Sequence, residues 1–128
     1  MTATHKRLGV GLAASLFGVL VACAMLFSVT AQAAPQKLVG TVGPGFTISL
    51  KTASGKRVTG LTRGTYTLTV RDRSDEHNFF VRGPGVSKSV TGVDFVGTKT
   101  VTIRFGSGKY AFLCAPHADE MRGSISVR

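Results

Sequence analysis

Four side chains in this sequence have the chemistry of metal ligands. After residue 33, the chain has two histidines, one cysteine and one methionine, which are His77, His117, Cys114 and Met121. Two imidazoles, a thiolate and a thioether form the donor set of copper sites that transfer single electrons, with the thioether as a long, weak axial ligand. These residues therefore predict a site for one copper ion that cycles between Cu(I) and Cu(II).

The spacing of three of these residues supports the same interpretation. Cys114, His117 and Met121 follow the pattern C-x2-H-x3-M, which fits one loop between two strands. Zinc is the nearest alternative, but structural zinc sites use more thiolates, and methionine is a poor zinc ligand. A cysteine–histidine hydrolase is a weaker alternative, because Pro116 and the short spacing do not place a nucleophile and a base across a cleft. The loop is therefore expected to bind a metal, and the protein is not expected to be an enzyme.

The elements that must position these ligands have the pattern of β-strands. After Pro35, short β-type segments alternate with glycine-rich turns, and no stretch of helical period is long enough to compete. The predicted strands are 37–42, 46–51, 65–71, 77–82, 98–105, 109–114 and 122–128. Residues 34–128 are therefore expected to form one all-β domain, a sandwich of about seven strands.

Strand alternation gives a test of the ligand set, since residues two apart lie on the same face of a strand. Three of the four candidates are in phase with apolar residues of their strands: His77 with Phe79 and Val81, Cys114 with Tyr110 and Phe112, and Met121 with Ile125 and Val127. His117 lies in the loop, where alternation makes no prediction. Three ligand side chains should thus point toward one end of the core, where a loop can close over a metal.

The first 33 residues are expected to be an export signal rather than part of the domain. Lys6 and Arg7 precede an apolar run over residues 8–29, and Ala31-Gln32-Ala33 offers the small residues of a signal peptidase site. Two other outcomes stay open. The apolar run is long enough to span a bilayer if it is retained, and Leu20-Val21-Ala22-Cys23 resembles a bacterial lipobox, in which Cys23 would be lipidated. Each outcome places the domain outside the cytoplasm, in the periplasm or cell envelope or as a secreted protein.

Cleavage after Ala33 would leave a basic domain with a single cysteine. Because Lys6 and Arg7 are lost, 14 of the 16 Lys and Arg residues remain with all 6 Asp and Glu residues, for a net charge of +8. In an exported domain this charge favours acidic protein partners or an anionic membrane surface and argues against nucleic acid. Small exported domains usually pair their cysteines, so the lone Cys114 needs another explanation, which metal ligation supplies. We expect a monomer whose partners are redox proteins and which contacts a membrane only through a retained or lipidated N-terminal segment.

Several segments resemble those of a known family of copper proteins. The residues YAFLCAPH at 110–117, followed by MRGSISV at 121–127, resemble the C-terminal copper loop of plastocyanin and amicyanin relatives, which are cupredoxins. His77-Asn78-Phe79 resembles their earlier ligand segment. A similarity to small exported bacterial cupredoxin-like proteins covers roughly residues 60–128 and also includes Gly64-Thr65-Tyr66, Asp72 and Gly83-Pro84-Gly85-Val86.

The resemblance implies a Greek-key β-sandwich with a type 1, or blue, copper site. It implies that His77, Cys114 and His117 are the equatorial ligands and that Met121 is the axial ligand. It further implies that Asn78 steadies the cysteine loop from outside the ligand set and that His117, near the surface, offers an exit for the electron.

The sequence departs from the family pattern at two places. Ala115 stands where relatives often have a hydroxyl that Asn78 can engage. The spacing from His117 to Met121 lies between the shorter amicyanin loop and the longer plastocyanin loop, so Glu120 is an alternative axial ligand through a carboxylate oxygen.

Three functions are consistent with the sequence. The first is an electron carrier in the cell envelope, and the second is a copper-handling protein that buffers or delivers the ion through the same four residues. The third is a structural or adhesive β-sandwich that binds no metal.

Overall fold

A computed structural model describes residues 1–2 and 33–128. The main features of the predicted leader, which are Lys6, Arg7, the apolar run 8–29 and the lipidation candidate Cys23, lie outside the described residues. The cleavage, lipidation and anchor hypotheses therefore stay predictions. Among the residues that the structure does describe, no helix is long and apolar enough to cross a bilayer.

Nine β-strands and one short 3-10 helix make up the domain. The strands are β1 (Gln36–Val42), β2 (Ile48–Thr52), β3 (Gly60–Leu61), β4 (Gly64–Asp72), β5 (Phe80–Gly83), β6 (Val86–Ser89), β7 (Gly97–Phe105), β8 (Gly108–Leu113) and β9 (Arg122–Val127). The 3-10 helix η1 (Ala115–His117) lies between β8 and β9.

The strands form two mixed sheets. The first sheet has the order β2-β1-β4-β7 and the second has the order β3-β9-β8-β5-β6. β1 pairs with β4 in parallel, as β3 does with β9, and the other pairs are antiparallel. Because β4 and β7 belong to the first sheet and β5 and β6 to the second, the chain passes from one sheet to the other after β4. His77 lies on that crossing.

Alternating apolar residues from both sheets form one core. In β4, buried Tyr66, Leu68 and Val70 alternate with threonines on the outer face, a pattern that the pleat of a half-buried strand requires. Residues of the second sheet pack into the same cluster, among them Val81, Tyr110, Phe112, Ile125 and Val127. The predicted all-β sandwich is therefore confirmed, with nine strands rather than about seven.

The observed strands differ from the predicted ones in a late start and in two additional short strands. The predicted strand 46–51 begins only at Ile48, because Gly43 and Gly45 adopt φ values of 69° and 62° in a turn that precedes it. The unpredicted strands β3 and β6 have two and four residues, which are too few to produce a clear alternation of apolar side chains.

The predicted strand 77–82 is also shorter than expected and begins at Phe80. The backbone N–H of Asn78 donates to Cys114 Sγ, and the backbone N–H of Phe79 donates to the Thr91 hydroxyl, so neither takes part in a strand ladder. His77 therefore lies just before β5 rather than on it. The backbone of this segment thus bonds to Cys114 and Thr91 instead of to a neighbouring strand.

Candidate metal centre

The loop between β8 and β9 carries three of the four predicted ligands. Cys114 directly follows β8 and Met121 directly precedes β9, and the Cys114 N–H donates to the Met121 carbonyl at 3.0 Å. His117 ends η1 between them. Its N–H donates to the Cys114 carbonyl at 3.1 Å, and its carbonyl accepts from the Met121 N–H at 2.8 Å. These backbone hydrogen bonds hold the three residues together at one end of the sandwich.

His77 reaches the same end from the crossing between the sheets. β5 pairs with β8 so that Phe80 lies opposite Leu113, which places the residues before β5 beside Cys114. His77 is buried, as its phase predicts, although it lies outside the strand. Asn78 is buried as well, which simple alternation does not predict.

The side-chain donor atoms of three predicted ligands converge. Nδ1 of His77 lies 3.0 Å from Nδ1 of His117, and Cys114 Sγ lies 3.7 Å from the first nitrogen and 3.6 Å from the second. Three donors in a plane around one ion, with bonds of about 2.0 to 2.3 Å, are separated by about 3.5 to 4.0 Å. A metal ion therefore fits after the two imidazoles move slightly apart. Cys114 and His77 are buried, whereas His117 is half-buried.

The two axial candidates differ in burial. Met121 is fully buried and packs in the hydrophobic core, whereas the neighbouring Glu120 is exposed. A carboxylate that leaves water loses its hydration, while a thioether loses little. Burial therefore favours Met121 over Glu120 as a donor on the inner side of the loop.

Asn78 connects the segment before β5 to the ligand loop. Its Oδ1 accepts a hydrogen bond from the Ala115 N–H at 2.7 Å, and its own backbone N–H donates to Cys114 Sγ at 3.4 Å. Because the backbone of Ala115 supplies the donor, this contact does not need a side-chain hydroxyl at that position. Asn78 Nδ2 donates to the Ser89 hydroxyl at 3.2 Å, and that hydroxyl donates to the Thr91 carbonyl at 2.7 Å. Hydrogen bonds of this kind orient ligands and tune the charge on a ligating sulfur.

Asp72, the last residue of β4, is a buried acidic group near the site. Its Oδ1 accepts from the Ser74 N–H at 3.2 Å, while Oδ2 has no hydrogen-bond partner within the described part of the chain. Burial raises the pKa of Asp72 above its ordinary value of 3.8, against the lowering effects of the Thr91 side chain, the Ser74 N–H and the charge of His77. Its phase with buried Val70 is the sequence signal for this burial, but nothing in the sequence places it beside the site.

Phe46, in the turn between β1 and β2, is absent from the predicted site. Its ring centroid lies 5.3 Å from that of His77 and 4.9 Å from that of His117, while the side chain remains 61% exposed. The sequence pattern predicts Phe46 at the start of a strand. No local pattern links a turn residue to ligands that are distant in the sequence.

Comparison with known proteins identifies the fold. No family model and no curated protein matches this sequence. Among solved structures, a methionine-to-glutamine variant of rusticyanin is 23% identical with a TM-score of 0.51, over 72% of this chain and 76% of its own. Reduced rusticyanin is 25% identical with a TM-score of 0.50, over 72% and 78%. A reduced tryptophan-to-tyrosine variant of amicyanin is 18% identical over 77% and 88%, but its TM-score of 0.46 is too low to carry weight.

The rusticyanin structures share this sandwich over most of the described residues. The domain has the cupredoxin fold. At one end of this cupredoxin sandwich, two imidazoles and a thiolate lie with their donor atoms within 4.8 Å of one another. This donor set fits one copper ion, as the sequence predicts. The expected cupredoxin resemblance is confirmed by the fold.

Proposed function

We propose that this cupredoxin domain is a type 1 copper protein that carries single electrons between redox partners in the cell envelope. The convergence of His77 Nδ1, Cys114 Sγ and His117 Nδ1, at separations of 3.0 to 3.7 Å, carries the proposal. These three residues are the proposed equatorial ligands. Copper bound there supplies one-electron chemistry by alternating between Cu(I) and Cu(II).

Met121 is the proposed axial ligand. Its burial directly before β9 supports this role, and its backbone is held to both Cys114 and His117 by hydrogen bonds. Glu120 would have to give up its exposed position and its hydration to act instead. A weak thioether donor also leaves the site acceptable to both oxidation states of copper.

Hydrogen bonds around the ligand loop support electron transfer in particular. A site whose ligands are held by the protein moves little when an electron arrives or leaves, and this small movement allows fast transfer. The loop is held by backbone bonds among Cys114, His117 and Met121, and by the Ala115 N–H bond to Asn78.

His117 is the proposed exit for the electron. Among the four candidate ligands, His77, Cys114 and Met121 are buried, whereas His117 is half-buried. An imidazole edge at the surface brings a partner within a short distance of the ion. The rest of the ligand set stays protected from water.

The proposed location of the protein is the cell envelope, and its proposed partners are acidic redox proteins. The leader supports export, and a net charge of +8 after cleavage at Ala33, from 14 basic and 6 acidic residues, supports acidic redox partners. In this role the protein performs no bond chemistry and is not itself an enzyme.

Voltammetry of the copper-loaded protein tests the electron-carrier function. We expect a reversible one-electron couple together with rapid electron self-exchange between oxidised and reduced protein. A protein that binds copper and transfers it to an acceptor, but shows slow self-exchange, would instead be a copper-handling protein. A protein that binds no copper would be a metal-free sandwich, and the proposal would fail.

A further inference from the structure

An exposed aromatic side chain contacts the two proposed histidine ligands. The Phe46 ring meets the His117 ring edge-on at 82° and the His77 ring at 59°, with centroid distances of 4.9 Å and 5.3 Å. Such tilted contacts between aromatic rings are attractive. Phe46 thus contacts both imidazoles although most of its own surface faces water, with 61% of the residue exposed.

The turn that carries Phe46 is held in a defined shape. The Gly43 N–H donates to the Thr47 carbonyl at 2.8 Å, and the Thr47 N–H donates to the Gly45 carbonyl at 2.8 Å. The Thr47 hydroxyl adds a bond to the Pro44 carbonyl at 3.0 Å. A Cβ on Gly43 would lie 2.9 Å from Ser74 Cβ, so the turn packs tightly against the segment that leads to His77. The position of the ring is therefore tied to the site.

We propose that Phe46 is a cover that controls the exchange of ions and small molecules with the metal site. Cys114 and His77 are buried, and the Phe46 ring packs against both imidazoles. A solute that approaches Cys114 Sγ from this side must displace the ring. An electron needs no such movement, because His117 keeps part of its surface exposed. Phe46 thus permits electron transfer but slows the loss of the ion.

The accessibility of Cys114 in the metal-free, full-length protein tests the cover directly. Iodoacetamide modification of Cys114 is followed by peptide mass spectrometry, which distinguishes it from Cys23. Loss of two aromatic contacts in Phe46→Ala is expected to raise the modification rate by about 5-fold to 150-fold. Phe46→Leu, which keeps an apolar cover but loses the ring, should be intermediate.

Val96→Ala is the matched control. Val96 lies in the connection between β6 and β7 and is 60% exposed, close to the value for Phe46. Its replacement should leave the rate unchanged, and denaturation midpoints should show that all variants remain folded. The proposal that Phe46 covers the site would be overturned by equal rates of Cys114 modification in wild type and both Phe46 variants. An equal acceleration in Val96→Ala would overturn it as well.

A second measurement addresses the metal and rests on the proposed function. Withdrawal of Cu(I) by an excess of a Cu(I)-selective chelator should be faster in Phe46→Ala than in wild type, with the same copper stoichiometry at the start. If copper binds but leaves both proteins at the same rate, the control of ion exchange is refuted. If wild type binds no copper, the proposed function fails, while the iodoacetamide rates still decide whether Phe46 covers Cys114.

Discussion

Replacement of Asn78 by alanine should weaken both the fold and the ligand loop. The variant loses the bond from the Ala115 N–H at 2.7 Å and the bond to the Ser89 hydroxyl at 3.2 Å. Each contributes about 0.5 to 1.5 kcal/mol net. Ala115 is exposed and its N–H can reach water, and Ser89 keeps its bond to Thr91, so we expect a total loss of about 1 to 3 kcal/mol. Guanidinium chloride unfolding of the metal-free protein measures this loss.

Ser89→Ala is the matched control for the ligand loop. It also removes two hydrogen bonds, to Asn78 and to the Thr91 carbonyl, but neither involves the loop itself. We therefore expect a similar loss of stability in both variants. After copper is added, only Asn78→Ala should shift the charge-transfer band and the reduction potential. Equal spectral changes in both variants, or a loss below about 0.5 kcal/mol for Asn78→Ala, would refute the role of Asn78 in holding the ligand loop.

Four further substitutions test other parts of the structure. Met121→Leu should retain copper with a raised reduction potential, because a weak donor to Cu(II) is removed, whereas Glu120→Gln should leave the voltammogram unchanged; the reverse pattern would assign the axial position to Glu120. Gly123→Ala should lower the free energy of unfolding by about 1 to 3 kcal/mol or more, because the new Cβ would overlap the Phe112 ring; a midpoint equal to that of wild type would contradict this packing. Burial raises the pKa of Asp72 above 3.8, so the native state holds a proton that the unfolded chain releases, and stability falls as the pH rises through the raised pKa. Asp72→Asn should therefore gain stability relative to wild type in a denaturation series as the pH rises above the ordinary value of 3.8, and a gain that grows toward low pH would show that the sign is wrong.

Much of the ligand set follows from residue types and periodicity. Cys114 and Met121 adjoin strands whose apolar residues alternate with polar ones, so their burial at one end of the core could be predicted. The class of the fold was predictable for the same reason, since β4 and β9 show clear alternation. The pattern C-x2-H-x3-M added His117 on the loop between them.

The other features of the fold and of the site depend on contacts between segments that are far apart in sequence. β1 and β4 pair in parallel, and only the whole topology decides this. His77 leaves the strand pattern because its neighbours bond to Cys114 and Thr91 instead of to a strand. The placement of Phe46 over both imidazoles and the link from Asn78 to Ser89 have the same origin, and local sequence carries no signal for either.

Addition of copper(II) to the metal-free, full-length protein tests the central claim most directly. We predict that one equivalent binds and produces the intense visible band of thiolate-to-copper charge transfer, because Cys114 Sγ lies within 3.7 Å of both imidazole nitrogens. The Cys114→Ala variant should bind copper without producing this band, or it should bind no copper at all. A colourless wild-type protein with no bound copper would contradict the account.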